Sequence, residues 1–467
     1  MAQRTKGRTL CQVQSELNSL QSAEGLPFQR LLDGQRMADA LEQAGVTYRE
    51  RVYTPQTTLF AFLSQVLAGK GGTCQEAVSR ILVDRVANGQ SPCSPETSSY
   101  CQARQRLPEE VLAQLARQTG QELDRAAPDA WLWKGRHVAI VDGSTAEMTD
   151  TPENQAEYPQ SRSQRPGLGF PMLRLVVLIS LAVGTVLECA VGPCRGKKTG
   201  EQNLFRQLWS LLQPGDIVLG DCLYDAYRDI ALLQARGVDT LFGKKQSRQV
   251  DFRRGRALGP DDHVVTWQKP AYNAERFENR TEWEALPDEL AMREVRRILR
   301  RNGFRPRTII IVTTLLDEEL YSAAELIELF GLRWHCELDL RSIKQVLGMV
   351  RLKCKTPDMV RRELWVYLLA YNLVRTRMAQ AAAVHEVLPR TLSFTAAQTH
   401  LHYFGMALDT ASAHDVARLE AAMLRAIASH SVGERPGRKE PRAVKKRRQK
   451  YSYLTQPRSK ARQRLPA

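Results

Sequence analysis

Apolar and polar residues follow different patterns in successive parts of the chain. Up to about residue 130 the pattern of apolar positions is typical of amphipathic helices. The predicted helices are Gln12–Leu20, Phe28–Ala44, Leu59–Leu67, Cys74–Arg85 and Glu109–Ala126. We therefore expect residues 1–130 to form a helical N-terminal domain.

The next part of the chain is dominated by short runs of β-branched and other apolar residues, which predict buried strands. Strands are predicted at 137–141, 173–181, 185–191, 216–220 and 238–242, with helices at 201–212 and 224–235. This order of elements is that of the ribonuclease-H-like fold. We therefore expect a mixed α/β core over residues 131–244 and 308–378, in which helices flank a mixed sheet.

Residues 245–307 interrupt this core with a polar, Arg-rich sequence. Possible strands at His263–Gln268 and Met292–Leu299 predict a β-rich insertion that does not fit the core sheet. Thr308–Leu315 is a strongly β-branched strand that leads back toward the core.

Helical patterns return after this strand. A helix is predicted from about Ala323 to Lys344, and an amphipathic helix over Asp358–Arg377 is expected to pack against the core. Residues 379–432 are predicted to form a helical C-terminal region. Residues 433–467 carry 13 Lys and Arg against 2 acidic residues, which indicates a flexible basic tail that binds phosphates.

Three carboxylates stand at positions that suggest chemistry. Asp142 and Asp221 each follow a predicted strand, where a lone aspartate is most often a turn or cap residue. Glu337 lies in the predicted helix, where Phe330, Arg333, Glu337 and Lys344 would share one stripe. The simplest alternative is that Arg333 and Glu337 form an ordinary surface ion pair, worth about 0.3–0.5 kcal/mol.

The spacing of that stripe resembles the Tyr-x2-Arg-x3-Glu-x6-Lys signature of insertion-sequence DDE transposases. Phe330 stands where the signature has tyrosine, so the ring is kept and the hydroxyl is lost. The resemblance runs from about Ser98 into the basic tail and includes the β-rich insertion. It implies an enzyme that cuts transposon ends and joins them to target DNA.

The resemblance also implies roles for individual residues. Asp142, Asp221 and Glu337 would be catalytic and would hold two Mg²⁺ ions, for which Mn²⁺ can substitute. Phe330, Arg333 and Lys344 would bind DNA beside the scissile bond. Trp267, in the insertion, is a candidate for stacking on a displaced base, although a tryptophan is more often a packing residue.

The N-terminal domain is expected to recognise transposon-end DNA. Gln102, Arg104 and Arg106 precede a terminating proline and resemble the segment before the first catalytic strand of these transposases. The alternative is a small helical domain with a solvated basic face.

The charge supports a polyanionic partner. The chain has 67 Lys and Arg against 51 Asp and Glu, a net charge of +16 and a pI near 9.6. Such an excess favours nucleic acid first and an anionic membrane surface second. We expect double-stranded DNA as the partner, a homodimer in the synaptic complex and no membrane association.

The cysteines and the apolar segments bear on location. Nine cysteines without paired spacing predict reduced thiols in a cytoplasmic protein. We expect this protein to associate with the nucleoid through DNA. The apolar stretch Leu175–Val191 contains Gly184 and Glu188 and is too short for a membrane span, so two strands are predicted there.

Two other functions fit the same residues. One is a metal-dependent nuclease of the same fold that does not transfer strands. The other is an inactive DNA-binding derivative that keeps the fold and the basic tail.

Overall fold

The computed structural model describes residues 32, 34–69, 72–273, 279–299, 307–408, 411–432 and 452–464. The helix predicted at Gln12–Leu20, the start of the next helix and most of the basic tail lie outside these residues.

One mixed sheet organises the described part of the chain. Its strands are β1 (Val138–Met148), β2 (Met172–Ser180), β3 (Val186–Pro193), β4 (Ile217–Gly220), β5 (Asp239–Gly243), β6 (Arg256–Gly259), β7 (Asp262–Gln268), β8 (Glu289–Leu299), β9 (Arg307–Thr313) and β10 (Arg351–Leu352). They are ordered β3-β2-β1-β4-β5-β9-β8-β7-β6, and β10 pairs with β1.

The first five strands have the ribonuclease-H-like arrangement. β2 and β3 form antiparallel ladders beside β1, whereas β4 and β5 run parallel to it. Parallel neighbours need a crossover. The crossovers contain helices α7 (Glu201–Arg206) and α8 (Tyr227–Ala235). The predicted fold class is confirmed.

The insertion is part of the same sheet, so the prediction that it does not fit the core sheet was wrong. Val312 of β9 lies opposite Phe242 of β5 on one side and Glu294 of β8 on the other. β9 therefore joins the core strands to β8, β7 and β6. The β-branched pattern of β9 predicted a strand, but it gave no information about which strands lie on its two sides.

β1 is longer than its apolar run predicted. The strand does not end at Asp142 but continues to Met148, because β2 pairs along its whole length, as far as Glu147 opposite Met172. β10 adds a parallel partner at the same end. Glu147 is therefore a strand residue.

The remaining helices cover both faces and both ends of the sheet. They are α1 (Gly34–Gln43), α2 (Pro55–Leu67), α3 (Cys74–Ala87), α4 (Ser98–Arg106), α5 (Glu109–Arg125), α6 (Pro152–Glu157), α9 (Arg280–Glu284), α10 (Ala323–Leu332), α11 (Trp334–Arg341), α12 (Pro357–Val384), α13 (Phe394–Leu408), α14 (Ala413–Ala428) and α15 (Arg458–Arg462).

α12 is the central helix of the molecule. The sequence predicted a shorter amphipathic helix at Asp358–Arg377, but nearly all residues of α12 are buried. Helices α2, α5, α13 and α14 pack around it, so no face is left to solvent. In its middle, Asn372 donates to the carbonyls of Ala116 (2.9 Å) and Val186 (2.8 Å) and accepts from the Val186 amide (2.8 Å). This buried amide ties α5, α12 and β3 together.

The apolar stretch at 175–191 forms β2 and β3, as predicted. Gly184 turns between them with a φ of +79°, and a Cβ there would lie 1.8 Å from Nη1 of Arg390. Across the described ranges, no helix combines the length and the apolar character that a bilayer crossing needs.

Candidate active site

Asp142 lies within β1, and Asp221 directly follows the neighbouring strand β4. β1 and β4 pair in parallel, and Ile140 lies opposite Leu219. Asp142 lies two residues after Ile140 within β1, and Asp221 lies two residues after Leu219, one residue beyond the end of β4. The backbone amide of Gly143 donates to Oδ1 of Asp142 (2.8 Å), and that of Leu223 donates to Oδ1 of Asp221 (2.7 Å).

Glu337 approaches from the helices that follow β9. α10 begins with a capping box in which Ser322 and Glu325 each bond the other's backbone amide. The chain turns at Arg333, and α11 then packs against β1. Nη2 of Arg333 donates to Oε1 of Glu337 at 3.1 Å, and both side chains are partly buried.

The ionisation of Asp142 depends on burial and on two other carboxylates. Burial raises the pKa of Asp142 to about 6, and the negative charges of Asp221 and Glu337 add to the rise. The Gly143 amide and the Arg333 guanidinium act in the opposite direction. Like charges nearby disfavour the ionised form of a carboxyl group, so Asp221 and Glu337 both lie within electrostatic range of Asp142.

Lys344 contacts β1, the strand that carries Asp142, but it does not lie on the regular helix that was predicted. The helix is interrupted at Arg333, and Ser342–Val346 forms a π-helix. Insertions of this kind are frequent at functional sites. Nζ of Lys344 donates to the hydroxyl of Ser144, two residues after Asp142, at 3.3 Å. Burial lowers the pKa of Lys344, and the charge of Glu147 opposes that effect.

Phe330 is half-buried at the edge of this region. Its ring lies close to Gly243 at the end of β5, where a Cβ would be 3.2 Å from both Cζ of Phe330 and the amide nitrogen of Cys222. Cys222 directly follows Asp221. Phe330 therefore packs against the segment that carries the second aspartate.

Trp267 lies apart from the carboxylates, in the packed interior of the insertion. It is 6% exposed, and its indole N–H donates to Oε1 of Glu294 at 3.0 Å. The guanidinium of Arg248 covers the ring at 3.4 Å from its centroid. This is the environment of a packing residue, the alternative that the sequence left open.

Other acidic residues near these strands have structural partners. Asp225 is fully buried and accepts from the Lys245 amide (2.9 Å) and from Arg248 (3.1 Å). Asp216 precedes β4, at the opposite end from Asp221, and accepts from the Gln213 amide at 2.8 Å.

The N-terminal residues singled out in the sequence divide into two kinds. Arg104 is buried, with Phe62 under its guanidinium at 3.9 Å and Sγ of Cys354 at 3.1 Å from Nη2. It therefore joins the N-terminal helices to the core. Gln102 and Arg106 instead line an open groove whose other residues include Arg49 and Arg51.

Sequence reasoning missed two residues that border the carboxylates, Glu201 at the start of α7 and Tyr224 after β4. The carboxylate of Glu201 lies directly against Gly143. The only signal for this contact in the sequence is the glycine that follows Asp142.

The donor set suits a hard divalent cation. Asp142, Asp221 and Glu337 offer only carboxylate oxygens, which Mg²⁺ and Mn²⁺ prefer. Within the residues described, no three His, Cys, Asp or Glu side chains are gathered closely enough to form a complete metal site. Burial, with the charges of Asp221 and Glu337, raises the pKa of Asp142, and a bound cation would stabilise its ionised form.

The chain is similar in sequence to two bacterial transposases. Over 435 residues the chain is 29% identical to the transposase InsG of insertion sequence element IS4 from Escherichia coli K12, covering 90% of this chain and 92% of that protein. Over 100 residues it is 28% identical to the putative transposase InsL of element IS186A from the same strain, covering 19% of this chain and 27% of that protein.

A solved structure and a family model also match. The structure is that of the piggyBac transposase synaptic complex with hairpin DNA, at a TM-score of 0.43 and 9% identity over 90% of both chains. Residues 133–373, just over half of the chain, match the transposase DDE domain, and this segment contains all three carboxylates. The chain belongs to the DDE transposase family and is a DNA transposase.

Proposed function

We propose that the pocket formed by Asp142, Asp221 and Glu337 cuts transposon ends and joins them to target DNA by phosphoryl transfer. The observation that supports this proposal is that Asp142 lies in β1 and Asp221 directly follows its parallel neighbour β4, while α11, which carries Glu337, packs against β1.

The carboxylates would hold two Mg²⁺ ions, and Mn²⁺ can substitute. Asp142, Asp221 and Glu337 would all be ligands of these ions. Bound in such a pair, divalent ions activate an oxygen nucleophile and stabilise the charge that develops at phosphorus and on the leaving oxygen.

The neighbouring cations would position the DNA strand. Arg333 and Lys344 lie on either side of Glu337 in sequence and contact Glu337 and Ser144, respectively. Both would bind phosphates beside the scissile bond, and the Phe330 ring would pack along the DNA strand. These residues support assignment to the subgroup with the Tyr-Arg-Glu-Lys signature, with phenylalanine in place of tyrosine.

The reaction would proceed in steps at one pocket. Water attacks the phosphodiester at the transposon end, and the bond to the 3′ oxygen breaks, which leaves a 3′-OH and a 5′ phosphate. The 3′-OH then attacks the opposite strand or the target DNA, forms a new phosphodiester and displaces a 3′-OH. A hairpin on the transposon end is the intermediate expected for this subgroup.

DNA recognition would extend beyond the pocket. The groove lined by Arg49, Arg51, Gln102 and Arg106 would bind transposon-end DNA. The described part of the basic tail lies near the loop between β1 and β2, since a Cβ at Gly167 would be 2.9 Å from Cγ of Pro457. Synapsis of two ends would require a homodimer.

A role for Trp267 on DNA requires a rearrangement. Arg248 covers the Trp267 ring and donates to the carboxylate of Asp225. The ring can contact a displaced base only after Arg248 moves away from both.

The test is cleavage by the Glu337→Gln variant. With Mg²⁺ or Mn²⁺ and DNA that contains a transposon end, this variant should bind DNA as the wild type does and should not nick it. Retained nicking would place the catalytic glutamate elsewhere.

A joining assay separates the proposal from a nuclease without strand transfer. Precleaved ends with a free 3′-OH should become covalently linked to a target plasmid. Nicking without any linked product would favour the nuclease, and DNA binding without either reaction would favour an inactive derivative.

A further inference from the structure

A fourth carboxylate reaches the strand that carries Asp142. Glu201, the first residue of α7, lies against Gly143 of β1. A Cβ at Gly143 would be 2.4 Å from both Cδ and Oε2 of Glu201. The φ of Gly143 is not in the left-handed region, so glycine is needed here for space and not for backbone conformation. The carboxylate fills the volume that a side chain would occupy.

The ion pair that Glu201 makes is incomplete. Its partner is Arg174 of β2, with 3.7 Å between Nε of Arg174 and Oε1 of Glu201. Charge-assisted bonds of this type are usually 2.7–2.9 Å long. Nη1 of Arg174 instead donates to the carbonyl of Thr199 at 2.8 Å, and its buried Nε has no hydrogen-bond partner among the described residues. An ordinary structural ion pair does not account for Glu201.

A buried hydroxyl faces the same region. Tyr224 is 1% exposed, and no residue of the described ranges forms a hydrogen bond with its hydroxyl oxygen. The ring is held between Phe205 and Phe242, at centroid distances of 5.2 and 6.4 Å. Burial, followed by the charges of Glu201, Asp142 and Asp221, raises the pKa of Tyr224. A buried hydroxyl usually has a partner, so this one points to a group that it contacts in the loaded site.

We propose that Glu201 is a fourth acidic residue of the active centre. It would supply a carboxylate, directly or through one water, to the divalent ion held by Asp142, with Tyr224 as a positioning residue beside it. This inference rests on the proposed function, because it adds a residue to the metal site proposed there. Mg²⁺ keeps several waters in its shell, and groups that fix those waters or the first ligands contribute strongly to metal affinity.

The experiment measures Mn²⁺ binding to the full-length chain without DNA, by electron paramagnetic resonance of the free ion. Glu201→Gln should weaken binding by about 10- to 100-fold, the usual effect of removing such a partner. Tyr224→Phe removes only the hydroxyl and should weaken binding by a smaller factor. Glu319→Gln removes the same charge from an exposed position before α10 and should bind as the wild type does.

Asp142→Asn separates this inference from the proposed function. If Asp142→Asn binds Mn²⁺ as tightly as the wild type, the metal site of the proposed function is wrong. If Asp142→Asn loses binding and Glu201→Gln keeps it, only the role of Glu201 is overturned.

Folding is monitored by thermal unfolding in the presence of a chelator. Should Glu201→Gln fail to fold, Glu201→Asp replaces it, because it keeps the charge and shortens the side chain by one methylene. Weaker Mn²⁺ binding by a folded Glu201→Asp supports the proposal, and unchanged binding overturns it.

Discussion

The ionisation of Asp142 is set by its immediate neighbours. Burial and two nearby carboxylates raise its pKa to about 6, whereas Arg333 and the Gly143 amide stabilise the charged form. Arg333 thereby acts on two carboxylates, since it also donates to Glu337. It is therefore more than the ordinary surface ion pair that remained possible from the sequence.

Lys344 offers a test of the phosphate-binding role at the residue scale. Lys344→Ala should reduce the rate of end cleavage by about 10- to 100-fold, because hydrogen bonds to charged groups contribute about 1.5–3 kcal/mol. The measurement is single-turnover nicking of end DNA. The thermal unfolding midpoint should stay close to that of the wild type.

Lys355→Ala is the matched control for this change, since it removes the same charge from an exposed side chain a short distance along the chain. Its cleavage rate should not change. A cleavage rate for Lys344→Ala equal to that of the control would mean that Lys344 is only a solvated cation.

Single residues differ in how far the sequence identifies them. Asp142 and Asp221 follow apolar strands and Glu337 lies in a spaced pattern, so local sequence was enough to select them. Glu201 could not be selected, because its approach to Gly143 depends on how α7 packs against β2 and β3. Arg104 is the opposite case, because the sequence selected it as a DNA contact from its polar segment. In the folded chain its guanidinium is buried against Phe62 and Cys354.

At the scale of elements, a buried ion cluster holds α11, the helix that carries Glu337. Asp339 of α11 is 1% exposed and accepts from Arg375 of α12 and from Arg390, whose Nη2 lies at 2.8 Å. Burial alone would raise the pKa of Asp339, but the two guanidinium groups hold it below its usual range. This carboxylate fixes α11 to α12 two residues after Glu337.

Asp339→Asn should destabilise the fold. Removing one partner leaves buried charge without compensation, which typically costs about 3–5 kcal/mol. Urea unfolding followed by far-UV circular dichroism measures the loss. Asp288→Asn breaks the exposed pair with Lys269 and should change the free energy of unfolding little. Equal stability of the two variants would show that the cluster does not hold α11.

A second contact between elements makes stability depend on pH. His137 precedes β1, and its Nδ1 lies 3.0 Å from Oδ2 of Asp124 on α5. This hydrogen bond, opposed in part by burial, raises the pKa of His137 above its usual value. The contribution of this contact to stability is therefore fully present below about pH 6.5, the pKa of histidine in the unfolded chain. It is lost as the pH rises through the pKa of His137 in the folded chain.

His137→Asn should remove this dependence. The difference in thermal unfolding midpoint between wild type and variant should be larger at pH 6 than at pH 8.5. A difference that stays constant over this range would show that the charged form of His137 is not what stabilises the contact.

Elements were predicted best where the pattern of the chain is local. The strands and their order followed from apolar runs, and the ribonuclease-H-like topology was recovered from that order. The length of β1 and the continuity of the insertion with the core depend on pairing partners far along the chain, such as Met172 for Glu147 and Phe242 for Val312. Local sequence carries no information about such partners.

For the whole molecule, the distribution of charge separates DNA binding from catalysis. The chain carries a net charge of +16, and most of the excess lies beyond residue 432, outside the segment that matches the transposase DDE domain. The described part of the tail returns to the loop after β1. We therefore expect the tail to raise affinity for DNA near the pocket without taking part in the reaction.

Replacing the four bases Lys445–Arg448 by glutamine tests this division. Each base that contacts a phosphate contributes about 0.9 to the slope of log K against log salt, so the slope for DNA binding should become shallower by up to about four such increments. Affinity at low salt should fall, whereas the nicking rate at saturating DNA should stay unchanged. Exchanging Lys445 for Arg and Arg448 for Lys keeps the charge and should leave both quantities as they are. An unchanged slope in the glutamine variant would remove the tail from the DNA interface, and a lower nicking rate at saturating DNA would instead give it a part in the reaction.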